Sequence, residues 1–524
     1  MKRFKSTGSN QIFLLPPSLD ELVPKDSLAR LVSEIVEMLD LELLYRRYCR
    51  DGRPAYHPKM LVKILFYAYS NGITSSRKIA QRLEQDTHFM FLSAMEHPDF
   101  RTISDFRKNN LDLLGEFFKQ IVLICVQLGM VSVGHISIDG SKIKASAAKK
   151  NTKDANQLQL EIKKLEQEIS ALFAEAETND QDEDKKYGHQ NRGDEIPQQV
   201  QDCLKRKQKL EQAKQLLEQR GLTKINLTDP DSKFMKTPTH LEVCYNAQLA
   251  VDSDNQIIVA NDVTVDALDS RQFTPLYEQS VTNVGKAPDE VSTDCGYANH
   301  KNYKYIQNNN IDAYVPPDRD ALKDETDEDP SKNYSKEKFS YCADKDIYIC
   351  PESRELHFVQ FKKHRGCLIR VYRCTNCSGC PAIELCQDKK NKSKRRMLHI
   401  YETDDFIAHM RNKLKTEVGR QKYKKRLVTV EPVFGNLKYN LGFQEFSLRG
   451  HEKVRGEFNL MSIAHNLRKI HEYKLNQSLE INLVLLSYQL LIIFMQIYFV
   501  SISKIKIWAI RVFGQPVKML VMRN

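Results

Sequence analysis

Three carboxylates and a knot of cysteines have the types and spacing to do chemistry in this sequence. Asp139 closes the run Gly134-His135-Ile136-Ser137-Ile138-Asp139, whose alternation of apolar and polar side chains predicts a short strand ending at the acid. Gly140 follows at once, where the backbone can turn or let a ligand approach closely. Asp294 closes a second predicted strand, Glu290-Val291-Ser292-Thr293-Asp294, and is followed by Cys295-Gly296-Tyr297. Glu431 lies in a predicted later helix, with Lys438 seven residues on, two turns along the same face. If the two strands are neighbours, Asp139 and Asp294 emerge on one edge. Two aspartates and a glutamate make an all-oxygen site that suits Mg²⁺ or Mn²⁺. Two such ions about 4 Å apart clamp a scissile phosphate and activate a water or a 3′-hydroxyl for in-line attack. Asp139 would bridge both ions, and Asp294 and Glu431 would each hold one. Spacing alone does not single these acids out, because Asp229, Asp231, Asp252, Asp266 and Asp269 compete.

The sequence holds 12 cysteines, and Cys367, Cys374, Cys377, Cys380 and Cys386 crowd one short stretch with Cys350 upstream. Cys374-x-x-Cys377-x-x-Cys380 followed by Cys386 has the spacing of a zinc knuckle, and a tetrahedral Zn²⁺ needs four thiolates. The expected set is Cys350, Cys377, Cys380 and Cys386, with Cys374 as a substitute. The competing reading is a group of reduced, partly buried thiols without metal. The start of the chain is basic but its apolar run is short and ends in Pro16-Pro17, so no secretory signal is read. The expected setting is the cytoplasm, where clustered cysteines point to metal rather than disulfides.

The elements that must position these residues can be read in outline. Ser27 to about Gly129 is mostly helical: Pro58 opens a periodic segment ending at Asn71-Gly72, and further capped helices begin near Ser75 and Arg101. Short helices with Arg77, Lys78 and Arg82 near their starts suit a helix-turn-helix-like reader of DNA, or a plain bundle with a solvated basic face. Leu158, Ile162, Leu165, Ile169 and Leu172 form a heptad seam, and helical periodicity resumes from Pro197 to Gln219, which predicts an inserted helical hairpin. Tyr245–Val251 and Gln256–Ala260 read as a β-hairpin, Phe273–Val284 and Asn299–Asn309 as helices, and Asp312–Val315 as a strand. The fold class is therefore α/β, a mixed sheet flanked by helices.

The expected organisation is a helical DNA-binding domain (1–130), a core in two parts (131–153 and 222–317), the helical hairpin (154–221), a Cys-rich insert (318–400), a helical part carrying the third acid (401–475) and an apolar tail (476–524). Residues 481–503 carry no charge and reach the length of about 20 that a membrane helix needs. Asn482, Ser487, Gln489 and Gln496 interrupt them, and a buried terminal helix or a tail without a membrane role is favoured. Over 524 residues, 79 Lys and Arg against 68 Asp and Glu give a net charge of +11, which fits an anionic partner such as double-stranded DNA. The basic run Lys389, Lys390, Lys392, Lys394, Arg395 and Arg396 could touch DNA or be a solvated loop.

The segments YHPKMLVKILFYAYSNGITSSRKIAQ, ISIDGSKIKASA, TDPDSKFMKT, YNAQLAVDSDNQIIVA, STDCGYANHKNY, VEPVFGNLKYNLGFQEFSLRG and FNLMSIAHNLRKI together resemble the DDE transposases of bacterial insertion sequences, over roughly Leu41 to Lys474. The resemblance is to the branch with an N-terminal helical domain and a Cys-rich insert. It implies an RNase H-like core with Asp139, Asp294 and Glu431 as the acidic triad, a cofactor requirement for Mg²⁺ or Mn²⁺, and a synaptic complex of two or more copies on DNA. Related transposases often carry Tyr, Arg, Glu and Lys around the third acid. Tyr423, Arg426, Glu431 and Lys438 look like that set, with Arg426 and Lys438 expected to contact DNA. Four residues separate Arg426 from Glu431, where the common spacing is three.

Overall fold

The computed structural model describes residues 18–48, 54–187, 198–237, 239–322, 333–364, 367–386 and 395–477. The apolar run 481–503 and most of the basic run 389–396 lie outside them. The chain forms two units, Met1–Ile470 and His471–Asn524. Of the second, only the residues to Gln477 are described.

The N-terminal region is built from α1 (Leu19–Leu22), α2 (Leu28–Met38), α3 (Glu42–Tyr45), α4 (Pro58–Ser70), α5 (Ser76–Gln85), α6 (Thr87–Ser93), α7 (Phe100–Asn109) and α8 (Leu114–Gln127). Local chemistry sets its boundaries. Pro58 sits in the first turn of α4, where its missing N–H costs nothing, and His57 Nδ1 accepts from the Lys59 N–H. Asp86 and Asp99 cap α6 and α7 through their carboxylates. Ser75 holds the cap position of α5 without a side-chain bond, unlike the capped helix its sequence predicts. Ile79 and Leu83 bury the inner face of α5, and Arg77, Lys78 and Arg82 are exposed on the other.

The main sheet has the order β4-β5-β1-β7-β8, with β6 also paired to β5. Its strands are β1 (His135–Lys144), β4 (Lys233–Lys236), β5 (Leu241–Asp252), β6 (Ile258–Thr264), β7 (Glu290–Thr293) and β8 (Ala313–Tyr314). The pairs β4–β5, β5–β6 and β5–β1 are antiparallel, and β1–β7 and β7–β8 are parallel. Parallel neighbours need a crossover. Helices α11 (Phe273–Val284) and α12 (His300–Asn308) lie in the connections on either side of β7.

Between β1 and β4 the chain departs into α9 (Ala155–Tyr187) and α10 (Gln198–Gln219), which pack together above a short ribbon of β2 (Thr152–Asp154) and β3 (Lys224–Asn226). Leu158, Ile162, Leu165 and Ile169 are buried between the helices against Val200, Cys203, Leu210, Ala213 and Leu217. The loop after this hairpin fastens it to the core. Asp229 is fully buried and accepts from the Tyr245 hydroxyl and the Gly450 N–H, while Asp231 accepts from Arg220 and the His451 N–H.

After β8 comes a separate antiparallel sheet, β13-β12-β11-β10-β9, formed by β9 (Ser340–Cys342), β10 (Ile347–Ile349), β11 (Glu355–His364), β12 (Cys367–Cys374) and β13 (Met397–Tyr401). The short α13 (Ile383–Cys386) lies between its last two strands. The chain then returns to the main sheet through α14 (Asp404–Lys415) and α15 (Glu417–Gly435), and the last described element is α16 (His451–Gln477).

One buried imidazole secures the end of α15. His465 on α16 faces the Gln256 carbonyl at 2.9 Å and the Asn436 amide nitrogen at 3.0 Å. A carbonyl can only accept, so the proton belongs on Nε2, and Nδ1 accepts from Asn436. Burial pushes the ring from 6.5 down to about 4. A depressed value means that its stability contribution is complete above pH 6.5 and is lost as the pH falls towards 4. His465→Asn should therefore flatten the drop in melting temperature across that window. Thermal melts of both proteins at closely spaced pH values check this, and an identical profile would refute it.

Candidate active site

The register of the main sheet brings the first two acids together. In the parallel pairing of β1 with β7, Ile138 is opposite Thr293, so Asp139 and Asp294 occupy the next position on neighbouring strands. The strands differ at that point. Strand β7 stops at Thr293, and Asp294 caps a 3₁₀ turn, its Oδ1 accepting the Gly296 N–H at 2.9 Å. Strand β1 continues to Lys144, so Asp139 lies within the strand rather than at its end as the sequence predicts. The reason is β5, which is long enough to pair with β1 from Ile136 to Lys144 and carries it past Gly140.

Helix α15 supplies the third acid. It packs on β1, β5, β7 and β8 and buries Thr429, Val430, Val433 and Phe434. Glu431 stays on the open side, with its side chain 48 % exposed. Pro432 has no N–H for the Val428 carbonyl one turn back, and Gln256 donates to that carbonyl instead at 2.8 Å. The helix ends at Gly435 and passes into a π-turn, Asn436–Asn440. Lys438 therefore does not share a regular helical face with Glu431, as its spacing predicts. It is turned onto β1, where its Nζ donates to Ser141 Oγ at 2.6 Å and to the Lys142 carbonyl at 3.3 Å.

Arg426 joins the acids. Its Nη1 lies 2.7 Å from Asp139 Oδ2 and its Nη2 3.3 Å from Glu431 Oε1. The guanidinium carbon is 5.9 Å from the centre of the Tyr423 ring. Burial pushes Asp139 up to about 7, aided by Asp294 and Asp269 and opposed by Arg426. Burial also raises Asp294. Removal from water is the main cause at both acids, with Arg426 and Lys142 opposing it at Asp294, so the pocket disfavours bare carboxylates and favours cations beside them. Two glycines keep it open. A Cβ on Gly140 would meet Gln248 Nε2 at 2.2 Å and Asp269 Oδ1 at 2.7 Å. One on Gly296 would meet Asp294 Oδ1 at 3.0 Å.

Asp269, one of the competing acids, is the functional candidate that sequence reasoning misses. Its Oδ1 accepts from Asn246 at 2.6 Å, Gln248 at 2.7 Å and Lys142 at 3.1 Å. The Tyr297 hydroxyl donates to Gln248. A signal exists: Asn246 and Gln248 are polar at alternate positions of the otherwise apolar YNAQLAV, and both are fully buried. Two such amides must find partners inside the fold.

The cysteines gather elsewhere. Cys350, Cys374, Cys377, Cys380 and Cys386 line one small cavity of about 20 Å³. The Arg354 N–H donates to Cys350 Sγ at 3.2 Å and the Arg396 N–H to Cys377 Sγ at 3.4 Å. Arg396 is turned inward, its guanidinium donating to the Cys386 and Tyr334 carbonyls and stacking over Phe339, so it braces this cluster rather than reaching outward. Cys367 does not line the cavity. Among the described residues, no group of three or more His, Cys, Asp or Glu side chains is arranged so that it could hold a metal ion, at the acids or at the cysteines.

Arg77 stacks over Phe100 at 5.2 Å and Arg82 lies 3.9 Å from Asp86. These basic residues are on α5 and form no part of the acidic pocket. No helix among the described residues is long and apolar enough to cross a membrane.

Residues 349–471 match a family described as Transposase DDE domain, and residues 17–109 match one described as Transposase domain (DUF772). The first match contains Glu431 and the cysteine cluster, and Asp139 and Asp294 precede it. No curated protein and no solved structure matches the chain.

Proposed function

We propose that this chain, whose two domain matches indicate an insertion-sequence DDE transposase with an N-terminal domain, recognises the terminal inverted repeats of its element, cuts their 3′ ends by metal-dependent hydrolysis and joins them to target DNA. The observation that carries this reading is that Asp139 and Asp294 directly follow the paired residues Ile138 and Thr293 of two parallel strands, while Arg426 ties Asp139 to Glu431 on α15. We read the strands β4-β5-β1-β7-β8 as an RNase H-like core.

Bound Mg²⁺ or Mn²⁺ would supply the Lewis acidity for in-line attack on a phosphodiester. Asp139 turns Oδ2 towards Arg426 and Oδ1 onto the Gly140 N–H. Asp294 and Glu431 flank it and complete a hard-oxygen donor set. Asp269 holds Lys142, Asn246 and Gln248 in fixed positions beneath that set, a positioning role. Lys438 fixes the β1 backbone beside Asp139 through Ser141 and Lys142. The work of this scaffold is geometric: it orients acids before the substrate arrives.

Five thiols line one cavity, and a structural Zn²⁺ would have to draw four of them together, with Cys350, Cys377, Cys380 and Cys386 as the favoured ligands and Cys374 in reserve. Backbone N–H groups aimed at Cys350 and Cys377 would stabilise thiolates. The working form is a dimer or larger assembly on double-stranded DNA in the bacterial cytoplasm, associated with the nucleoid. A metal-dependent nuclease and a DNA-binding protein without catalysis are the alternatives. Labelled element-end duplexes incubated with the protein, target DNA and Mn²⁺ separate the three. Strand-transfer products identify a transposase, cleavage alone a nuclease, and retention without cutting a binder.

The exposed basic face of α5 is the proposed reader of the ends. Arg77→Ala, Lys78→Ala and Arg82→Ala should each weaken binding. Each cation removed from a phosphate should reduce the slope of log affinity against log salt by about 0.9. An Arg that reads a base edge should also relax sequence preference, by about 1–3 kcal/mol. Titrations against end and scrambled duplexes at several salt concentrations measure both. Unchanged slopes in all three variants would move the reading to another surface.

A further inference from the structure

We propose that Arg426 is a stand-in cation. Its guanidinium bridges Asp139 and Glu431 until divalent ions displace it, and it thereby limits how tightly the DNA-free protein takes up metal. This inference rests on the acidic-site reading above.

An accounting of oxygens supports it. Asp139 Oδ1 accepts the Gly140 N–H at 2.8 Å, and Asp139 Oδ2 accepts Arg426 Nη1 at 2.7 Å. Both oxygens of the central acid are thus engaged. The oxygen held by Arg426 is on the side of Glu431, because Nη2 of the same guanidinium reaches Glu431 Oε1 at 3.3 Å. The planar fork therefore spans the two carboxylates that a divalent ion must share. An ion at that position would face a like charge a few ångströms away in a pocket where the Arg426 side chain is only 12 % exposed. Guanidinium and ion compete for one place.

The arginine is held less completely than a purely structural one would be. Its Nε is buried and has no hydrogen-bond partner among the described residues. Burying that donor unpaired is unfavourable, so the side chain is held chiefly by the two carboxylates, with only the Tyr423 ring beside it, and can leave when the acids are neutralised otherwise. The long spacing to Glu431 contributes. With four intervening residues the two side chains do not stack one turn apart, and they meet only because Arg426 reaches across the pocket.

The test is Mn²⁺ binding to the full chain without DNA, by calorimetry or by the electron paramagnetic resonance signal of free Mn²⁺. Arg426→Gln should bind Mn²⁺ about tenfold more tightly than the unaltered protein, or better. It should melt lower without metal and gain more from added Mn²⁺. Arg426→Lys keeps the charge but cannot bridge both acids with one ammonium, so its affinity should also rise, by a smaller factor. It carries the test if Arg426→Gln fails to fold. Affinity equal to or below that of the unaltered protein in the folded variants overturns the proposal. Asp294→Asn separates this from the parent reading, since it should weaken Mn²⁺ binding whatever Arg426 does. If Asp294→Asn leaves binding unchanged, the acidic site itself is wrong. If it weakens binding while the Arg426 variants match the unaltered protein, only the stand-in role falls.

Discussion

Asp139→Asn, Asp294→Asn and Glu431→Gln should each reduce DNA cleavage by about 10³-fold or more while leaving end binding nearly intact. The substitutions keep shape and remove charge. A side-chain amide oxygen at position 139 can still accept the Gly140 N–H, and one at position 294 can still accept the Gly296 N–H, so the backbone has no reason to change, and the local loss at Asp139 and Glu431 is the hold on Arg426. What disappears is an anionic oxygen of the proposed cation-holding set, and residues acting as a unit fail as a unit. The effect at Asp139 should be the largest, because it is the acid that shares Arg426 with Glu431 and follows directly on the strand pairing that brings Asp294 alongside. Asp266→Asn is the matched control. Asp266 is one of the competing acids, with its side chain 39 % exposed, and it contacts Asn246 through its backbone carbonyl rather than its carboxylate. Cleavage and binding measured on the same preparations decide the matter. Ordinary turnover in any one triad variant removes that residue from the site.

The second large effect is on folding. The Cys-rich sheet has a small core, with Phe339, Leu356, Tyr372, Cys374, Cys377 and Leu398 in one buried cluster and Ile347, Ile369, Val371 and Ala382 also buried. A core of that size supplies little stability alone, whereas a structural zinc contributes about 10–16 kcal/mol in small metal-folded peptides. Protein kept reduced should carry one zinc that chelators remove slowly. Cys380→Ser should lower the zinc content and open residues 318–399 to proteolysis, while α15 and the main sheet keep their protection. Metal analysis finding no zinc, together with an unchanged proteolytic pattern in Cys380→Ser, would leave a cluster of reduced thiols.

Particular residues explain what is legible in the sequence. Asp139 and Asp294 can be read as strand residues because alternation and the following glycines are local signals. Their adjacency cannot, since Ile138 meets Thr293 only through a parallel crossover, which no local pattern encodes. Periodicity misplaces Lys438 because it assumes a regular helix. Gly435 instead leads into a π-turn, and Pro432 breaks the backbone ladder just before it. Asp269 escapes a linear reading because it lies in a short turn, and its partners Asn246, Gln248 and Lys142 are assembled by three-dimensional packing. The cysteine spacing is legible. The inward turn of Arg396 is not, because a basic run reads as solvated until the cluster it braces is in view.

The central claim is that Asp139, Asp294 and Glu431 hold the same divalent ions. Replacing Mg²⁺ by Fe²⁺ and adding ascorbate and peroxide generates hydroxyl radicals at the bound ion, which cut the protein backbone nearby. Mass spectrometry of the fragments then maps the site. The account predicts cuts clustered beside Asp139, Asp294 and Glu431, suppressed by excess Mg²⁺ and lost in Asp294→Asn. Cuts confined to other segments, or a cluster that survives Asp294→Asn unchanged, would contradict it.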